Sequence, residues 1–388
     1  MSRWKGKSCN GSRQMPASGS IEAHNPSPQP SPHGRGSSAV PVERASPLPW
    51  GEGQGEGKFP QFKTPPAATP SRMRFRAAAA ICGAVLFSAQ GFAGEEAFVT
   101  CQNGNTVAVV DLDRMSVAAR VEIPGNPVGI AVTPDGTRAF VTSSEGKTLS
   151  VIDAAQRKAI KTIRLKGGPF GVAVHPSGSP VYVTDWFEHR IFVVSPQTGN
   201  IEAEVSVGNS PSGIAVSVDG ATIVTADRDS DQLSFIDAKS LTVRGNAKTG
   251  SRPFGVTIDD STHRVFAANV AGNSVTVADL GTGKVLAEVK VGERPYAVAL
   301  ASGKAFVTNQ YAGTLSVFDA QTYAPLGEIE TGQYPEGIAA SGDGKFIYVA
   351  NWFDDRFAKI DAVSLKATGK VDPGNGPRAF GAFIRKAP

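Results

Sequence analysis

The stretch from Gly168 to Gly208, GPFGVAVHPSGSPVYVTDWFEHRIFVVSPQTGNIEAEVSVG, decides the fold. It contains four short runs, GVAV, VYVTD, IFVVS and IEAEVSV, which are rich in β-branched and aromatic residues. Pro, Ser, Gly and Asn separate the runs, and these residues favour turns. The stretch therefore predicts one small antiparallel sheet of four strands.

The same pattern recurs along the chain, and a proline opens each copy. The prolines follow one another at intervals of 42, 42, 42, 42, 40 and 42 residues, and they are Pro127, Pro169, Pro211, Pro253, Pro295, Pro335 and Pro377. A period of about 40 to 45 residues with four strands per unit is typical of propeller blades, because a single four-stranded sheet cannot cover its own faces. The sequence therefore predicts an all-β fold, a seven-bladed β-propeller of four-stranded antiparallel blades.

Six units are complete between Pro127 and about Gly374, which leaves a fragment at each end of the repeat array. The C-terminal fragment, residues 377–384, has the pattern of an innermost strand. The N-terminal fragment has the pattern of the other three strands, at residues 97–100, 106–111 and 118–123. Pairing the two fragments in one sheet would complete the seventh blade and remove the open edge of a linear array.

Two positions of the repeat have a structural explanation. The innermost strands read GIAV, GVAV, GIAV, GVTI, AVAL, GIAA and AFGA, and their small residues suit the crowded axis where seven strands converge. The third strand ends in an aspartate or serine that predicts an Asx-type turn, at Asp111, Asp153, Ser195, Asp237, Asp279, Asp319 and Asp361.

The strands also share a recurring motif, seen in YVTDW (182–186), AFVTNQ (305–310), IYVANW (347–352), TLSVIDA (148–154) and TLSVFDA (314–320). In these segments the chain resembles the YVTN family of β-propeller repeats, which are WD40-like, and the match covers all seven units. The resemblance implies a seven-bladed propeller. It implies little about chemistry, because propellers serve many roles.

The first 93 residues differ in composition from the repeats. Residues 1–72 are rich in Ser, Pro and Gly, which predicts a disordered low-complexity extension. Residues 73–93 read as a secretory signal peptide, with arginines before the apolar run 77–87 and the small-residue cleavage site Gly91-Phe92-Ala93. A signal peptide this far from the first methionine suggests that translation starts at Met73, and a genuine disordered extension is the alternative.

Cleavage after Ala93 changes the charge of the protein. The full chain carries +4, whereas residues 94–388 hold 28 Lys and Arg against 31 Asp and Glu, a balance of −3. The basic balance belongs to the leader, so nucleic-acid binding is not expected. Only Cys101 remains of three cysteines, which leaves no internal disulfide. We expect a monomer without a membrane span, located in the periplasm or secreted.

A polar column follows the prolines by sixteen residues, or by fourteen in the shorter unit. It contains Ser143, Asp185, Asp227, Asn269, Asn309 and Asn351, and Cys101 completes the ring. Carboxylate and amide oxygens around a channel mouth could hold Ca²⁺, with Asp185, Asp227, Asn269, Asn309 and Asn351 as the candidate ligands. The alternative interpretation is that these residues cap turns at strand ends. No other cofactor is predicted.

Two loops differ from their equivalents in the other units. DWFEHR (185–190) and NWFDDR (351–356) place two aromatic residues before acidic and basic ones, a composition that suits a binding surface. The candidate residues for binding a ligand or protein partner are Trp186, Phe187, Glu188, His189, Arg190, Arg228, Arg252, Arg294, Tyr296, Trp352, Phe353, Asp354, Arg356 and Arg378. The alternative is that the Trp-Phe pairs cover neighbouring blades as lids.

The chain contains no CxxCH, no GxSxG and no phosphate-binding glycine motif, and His189 is the one histidine expected at the mouth. No catalytic residue is therefore predicted. The sequence favours an exported binding or scaffold protein that uses its loop face. A lactonase-type hydrolase or an accessory protein of a periplasmic redox system are the alternatives.

The leader assignment predicts the N-terminus of the mature protein. Purification of the endogenous product and N-terminal sequencing should recover a chain that begins at Gly94, because cleavage follows Ala93. Peptides from residues 1–72 would contradict a start at Met73.

Overall fold

The computed structural model describes residues 94–385. Within this range the chain forms 28 strands arranged as seven four-stranded antiparallel sheets, with one short 3-10 helix at Arg228–Ser230. The fold is therefore the all-β, seven-bladed propeller that the repeat predicts. In the same range, no helix has the length and apolar character needed to cross a membrane.

We number the blades from Pro127 and name the strands of each blade A to D from the axis outward. Blade 1 comprises β4 (Pro127–Val132), β5 (Arg138–Ser143), β6 (Thr148–Asp153) and β7 (Lys158–Arg164). Blade 2 comprises β8 (Pro169–Val174), β9 (Val181–Asp185), β10 (Arg190–Val194) and β11 (Ile201–Ser206). Blade 3 comprises β12 (Pro211–Val216), β13 (Thr222–Asp227), β14 (Gln232–Asp237) and β15 (Thr242–Lys248). Blade 4 comprises β16 (Pro253–Asp259), β17 (Arg264–Asn269), β18 (Ser274–Asp279) and β19 (Val285–Lys290). Blade 5 comprises β20 (Pro295–Ala301), β21 (Lys304–Asn309), β22 (Thr314–Asp319) and β23 (Pro325–Glu330). Blade 6 comprises β24 (Pro335–Ala340), β25 (Phe346–Asn351), β26 (Arg356–Asp361) and β27 (Ala367–Val371). Blade 7 comprises β28 (Ile384–Arg385), β1 (Glu96–Cys101), β2 (Thr106–Asp111) and β3 (Ser116–Glu122).

Blade 7 joins the two ends of the repeat array. Its strand order is β28-β1-β2-β3, with Ile384 opposite Ala97 and Arg385 opposite Glu96. The predicted closure of the ring is thus confirmed. The predictions for residues 1–72 and 73–93 fall outside the described residues.

The last inner strand is less regular than the sequence predicts. Only Ile384–Arg385 forms a regular ladder, because the chain bends at Gly381, whose φ is +125°. The carbonyl oxygens of Phe380 and Ala382 accept hydrogen bonds from the backbone N–H groups of Ile130 and Val132, at 2.9 and 2.8 Å. The C-terminal segment therefore binds blade 1 as well as its own blade.

The third residue of strand A explains why small side chains recur at the axis. A Cβ atom added at Gly213 would lie 2.4 Å from the carbonyl oxygen of Phe254 in the next blade. At Gly171 the corresponding distance to the carbonyl oxygen of Ser212 would be 2.2 Å. Adjacent inner strands thus approach too closely for a side chain where this residue is glycine, whereas blades 5 and 7 have Ala297 and Ala379 at the corresponding position.

The threonine of the YVTN motif connects neighbouring blades. The Thr184 hydroxyl donates a hydrogen bond to the carbonyl oxygen of Ser212 in the next blade (3.0 Å) and accepts one from the Gly171 N–H (2.7 Å). Hydroxyl donors of strand B make the same link to the next strand A at Thr100, Thr142 and Thr308. The motif residue therefore acts in assembly of the ring.

The predicted turns after strand C are confirmed. The Asp237 carboxylate accepts hydrogen bonds from the backbone N–H groups of Lys239 (3.1 Å) and Ser240 (2.7 Å). In blade 2, Oγ of Ser195 accepts from the Thr198 N–H at 3.3 Å. The backbone and side-chain donors of Ser240 hold the pKa of Asp237 below its usual value.

The contact at Gly213 predicts a large difference between two glycine substitutions. Gly213→Ala should lower the free energy of unfolding by about 1–3 kcal/mol, because the new methyl group would overlap the Phe254 carbonyl. Gly245→Ala, on an exposed strand with nothing within 4 Å of the added Cβ, should be neutral or slightly stabilising. Urea unfolding of both variants checks this, and equal stabilities would contradict the close approach.

Candidate functional site

The loops between strands B and C and those between strands D and A lie on one face of the propeller, as the sequence predicts. We call this the loop face. The side chain of the fourth residue of the B–C turn accepts a hydrogen bond from the backbone of the residue that precedes the strand A proline of the next blade. Oδ1 of Asp231 accepts from the Arg252 N–H (2.7 Å), and Oδ1 of Asn273 accepts from the Arg294 N–H (3.0 Å). His189 has the same position, and its Nδ1 accepts from the Ser210 N–H (3.1 Å). His189 therefore stabilises the D–A loop that precedes blade 3.

The polar column ends strand B in the interior of the blades. Asp185, Asp227, Asn269, Asn309 and Asn351 are all fully buried. Among residues 94–385, no group of three or more His, Cys, Asp or Glu side chains is placed to hold a metal ion. The calcium site stays a prediction.

The column supports the D–A loops by two different hydrogen-bond patterns. In blade 3, Oδ2 of Asp227 accepts directly from the Gly208 N–H at 3.0 Å. In blade 4, the Gly250 N–H instead donates to the Thr276 hydroxyl (3.1 Å), which also accepts from Nδ2 of Asn269 (2.9 Å). Aspartate thus accepts the hydrogen bond of the loop backbone directly, whereas asparagine is connected to the loop backbone through a threonine hydroxyl.

Burial is the main influence on the pKa of the Asp227 carboxyl. Loss of water raises the pKa of this carboxyl above its usual value, although Ser234, Gln232, Thr225 and the Gly208 N–H all donate hydrogen bonds that act in the opposite direction. At Asp185, Nη2 of Arg190 lies 3.0 Å from the carboxylate, and Arg190 also contacts Glu204. Arg190 is therefore engaged within its own blade.

An aromatic cluster closes the central channel at the loop face. It consists of Phe170, Phe254, Tyr296 and Phe380, whose ring centroids lie 4.5 to 5.6 Å apart. Trp186 packs on this cluster, 5.3 Å from Phe170 and 6.1 Å from Phe254. The indole therefore acts as the lid that the alternative interpretation described, while its neighbour Phe187 is 52 % exposed.

A buried ion pair adjoins the aromatic cluster. Nε and Nη2 of Arg378 lie 2.5 and 3.0 Å from the two carboxylate oxygens of Glu336, and Nε2 of Gln310 donates to the same carboxylate at 2.8 Å. Burial opposes the charge of Arg378, but the Glu336 carboxylate outweighs it and holds the pKa of Arg378 above its usual range. Tyr296 and Arg378 are 1 % and 6 % exposed, and both nitrogen contacts of Arg378 are taken up by Glu336.

Three arginines converge at the mouth beside Trp186. Arg228 is 6 % exposed, and its guanidinium lies 5.6 Å from the Trp186 ring. Its Nη1 is 2.7 Å from Oδ1 of Asp229, whereas Nε of Arg252 is 3.9 Å from the same oxygen. Burial lowers the pKa of Arg228, Asp229 raises it, and the charges of Arg252 and Arg294 lower it further.

A second aromatic group lies on the loops of blades 5 and 6. Tyr334 is within 5.5 to 6.5 Å of Tyr311, Phe353 and Trp352, measured between ring centroids. The guanidinium of Arg294 stacks 4.5 Å from the Tyr311 ring centroid. Tyr311 and Phe353 are 39 % and 46 % exposed, so this group presents aromatic surface to solvent.

The remaining candidates surround these groups. Nε1 of Trp352 donates to Gln102 at 3.2 Å, Arg356 pairs with Asp354 at 3.3 Å, and Glu188 is exposed. Sequence reasoning missed Tyr311 and Tyr334. Their positions could have revealed them, because Tyr334 precedes a strand A proline as Arg252 and Arg294 do.

These observations define a seven-bladed propeller whose channel is closed at the loop face and surrounded there by arginines and aromatic rings. The family model of the YNCE-like beta-propeller matches residues 68–177 and 200–386. The chain therefore belongs to the YNCE-like β-propeller family, and the resemblance to a YVTN-type propeller is confirmed.

Solved structures resemble this chain in fold. Hydrazine synthase of Kuenenia stuttgartiensis has a TM-score of 0.59 at 21 % identity, covering 66 % of this chain and 89 % of that one. A protein of unknown function from Desulfotomaculum acetoxidans DSM 771 has a TM-score of 0.64 at 17 % identity, covering 73 % and 99 %. No curated protein matches the sequence. At these identities the likeness concerns the fold alone.

Asp227→Asn should be tolerated at pH 7, because Ser234 offers the hydroxyl that Thr276 offers to Asn269. The raised pKa of Asp227 means that the carboxyl stabilises the fold below its unfolded pKa of about 3.9 and loses this contribution as pH rises through the folded pKa. The melting temperature of the variant, relative to the wild type, should therefore increase between pH 4 and pH 7. A constant difference would contradict the burial effect.

Asp185→Asn is the matched contrast. The substitution would remove one of the two carboxylate partners of Arg190, and Phe192 stands where blades 3 and 4 have the hydroxyls of Ser234 and Thr276, so we expect a loss of about 1.5–3 kcal/mol in urea unfolding at pH 7. Melting curves with calcium and with EGTA test the calcium prediction on the same proteins. A calcium-dependent rise that both substitutions abolish would support a metal site.

Proposed function

We propose that the protein is an exported propeller that binds an anionic ligand, or an anionic segment of a protein partner, at its loop face. The observation that carries this proposal is the convergence of Arg228, Arg252 and Arg294 beside Trp186. The signal-peptide pattern of residues 73–93 supports export to the periplasm or the medium.

The local charge balance supports an anionic ligand. Arg228 shares Asp229 with Arg252, and Arg294 stacks on Tyr311. Two guanidinium groups therefore share one carboxylate, at 2.7 and 3.9 Å, and the positive charge of Arg294 acts on Arg228 as well. Holding like charges together costs free energy, and an incoming carboxylate, phosphate or sulfate would relieve it while forming charge-assisted hydrogen bonds.

The backbone of the D–A loop sets the position of these side chains. Arg252, Arg294 and Tyr334 have φ values of +56°, +53° and +55°, in the left-handed region. Asn126 and Ser210 stand at the same point before a strand A proline with φ values of +58° and +52°, so this conformation belongs to the repeat. The repeat thus places two arginines and a tyrosine at equivalent points of the loop face.

The aromatic groups extend the surface available to a ligand. Phe187, Tyr311 and Phe353 expose 39 % to 52 % of their surface around the arginines. Aromatic and arginine side chains together are typical of binding hot spots, because they combine apolar area with directed hydrogen bonds. A ligand with an anionic group and an apolar or planar body fits this combination.

Titration of the full-length chain with citrate, pyrophosphate and oligothymidylate, followed by tryptophan emission and calorimetry, tests the proposal. We expect saturable binding of citrate or pyrophosphate, weakened about tenfold by Arg252→Gln or Arg294→Gln and weakened by added salt. Trp186→Phe should abolish the emission change, because this indole lies against Arg228.

Arg138→Gln is the matched control, since it removes one exposed positive charge from the opposite face. It should leave binding unchanged. Binding that falls equally in Arg138→Gln and Arg252→Gln, or no anion binding at all, would refute the proposal. Tight, salt-sensitive retention of oligothymidylate would overturn the expectation that nucleic acid is not a ligand.

A further inference from the structure

The central channel contains a cavity on the other side of the aromatic cluster. Its volume is about 590 Å³, within the usual range for small-molecule pockets. The walls come from strand A of blades 1 to 6 and from residues 380–382, and they are formed mainly by Gly, Ala, Val, Ile and Leu. This cavity is separate from the arginine mouth.

The cavity is closed at one end and open at the other. Phe380 forms its floor, and the ring of Phe380 packs against Phe170, Phe254 and Tyr296 at 5.3 to 5.6 Å. The lining reaches Val218 in an A–B turn, where that side chain is 72 % exposed. A ligand would therefore enter from the face opposite the loop face.

The entrance disfavours anions. Asp260 is the charged residue among the lining side chains, and its Oδ1 accepts from the Val218 N–H at 2.9 Å. Elsewhere on this face the charges are close to balanced: Asp135, Asp219, Asp343 and Lys345 lie in A–B turns, and Arg138, Arg264 and Lys304 begin strand B. Moving an anion past Asp260 into an apolar pocket would cost both repulsion and desolvation.

We infer that the channel binds a neutral or cationic, mainly apolar small molecule, with its apolar part against the Gly and Ala walls and any polar end beside Asp260. The small side chains of the wall leave the space, and the aromatic floor supplies an apolar base. This site differs from the proposed anion site in face, charge and lining.

Nile red, a neutral apolar dye, is the probe. Titrated into the full-length chain, it should show a saturable rise in emission with one site per chain. Ala215→Trp, which fills the channel, should weaken binding at least about tenfold, and Val218→Asn at the entrance should weaken it several-fold. Decanol and decylamine should displace the dye, and decanoate should not.

Two variants serve as controls. Val363→Asn changes a valine that is 69 % exposed outside the channel, and it should leave dye binding unchanged. Arg252→Gln should also leave it unchanged, so that failure of this inference and failure of the anion site are distinguishable. Absence of saturable binding, equal displacement by decanoate, or undiminished binding in Ala215→Trp would overturn the inference. If Ala215→Trp does not fold, Val218→Asn against Val363→Asn decides.

Discussion

The close approach of neighbouring inner strands is the constraint on which the rest of the propeller depends. At the third residue of strand A, the carbonyl of the next blade occupies the space of a side chain, as Gly171 and Gly213 show. A hydroxyl from strand B then binds that carbonyl, as Thr184 does. Blade packing at the axis therefore depends on a glycine at this position in five blades, with Ala297 and Ala379 in the other two, and on a polar link at each interface.

This arrangement recurs around the ring with local substitutions. Where strand B of blade 3 has Ala226, Ser212 on strand A supplies the hydroxyl and donates to the Phe254 carbonyl at 3.0 Å. Between blades 4 and 5, Thr257 donates to the Val298 carbonyl at 2.6 Å. Between blades 6 and 7, the Glu336–Arg378 ion pair provides the polar link. Each interface thus retains a polar contact, although the residues that make it differ.

The sequence predicted the repeat, the blade number, the ring closure and the Asx turns, because these depend on patterns within one unit or on its period. It could not decide the role of the aromatic loops, since Trp186 packs on the channel plug while the adjacent Phe187 is exposed. His189 and Arg378 read as mouth residues, yet their partners Ser210 and Glu336 belong to other blades. Contacts between units are invisible to a pattern read along the chain, so the convergence of three arginines also required the structure.

Five of the seven links between blades end on the backbone carbonyl of the second residue of strand A, at Val128, Phe170, Ser212, Phe254 and Glu336. At this position the side chains of Ser212, Glu336 and Arg378 take part in links of their own, whereas those of Val128, Phe170 and Phe254 do not. In these three blades the side chain beside the axis can therefore change without removal of the polar link. A propeller of this construction is open to new specificities by a few substitutions at one end of its axis.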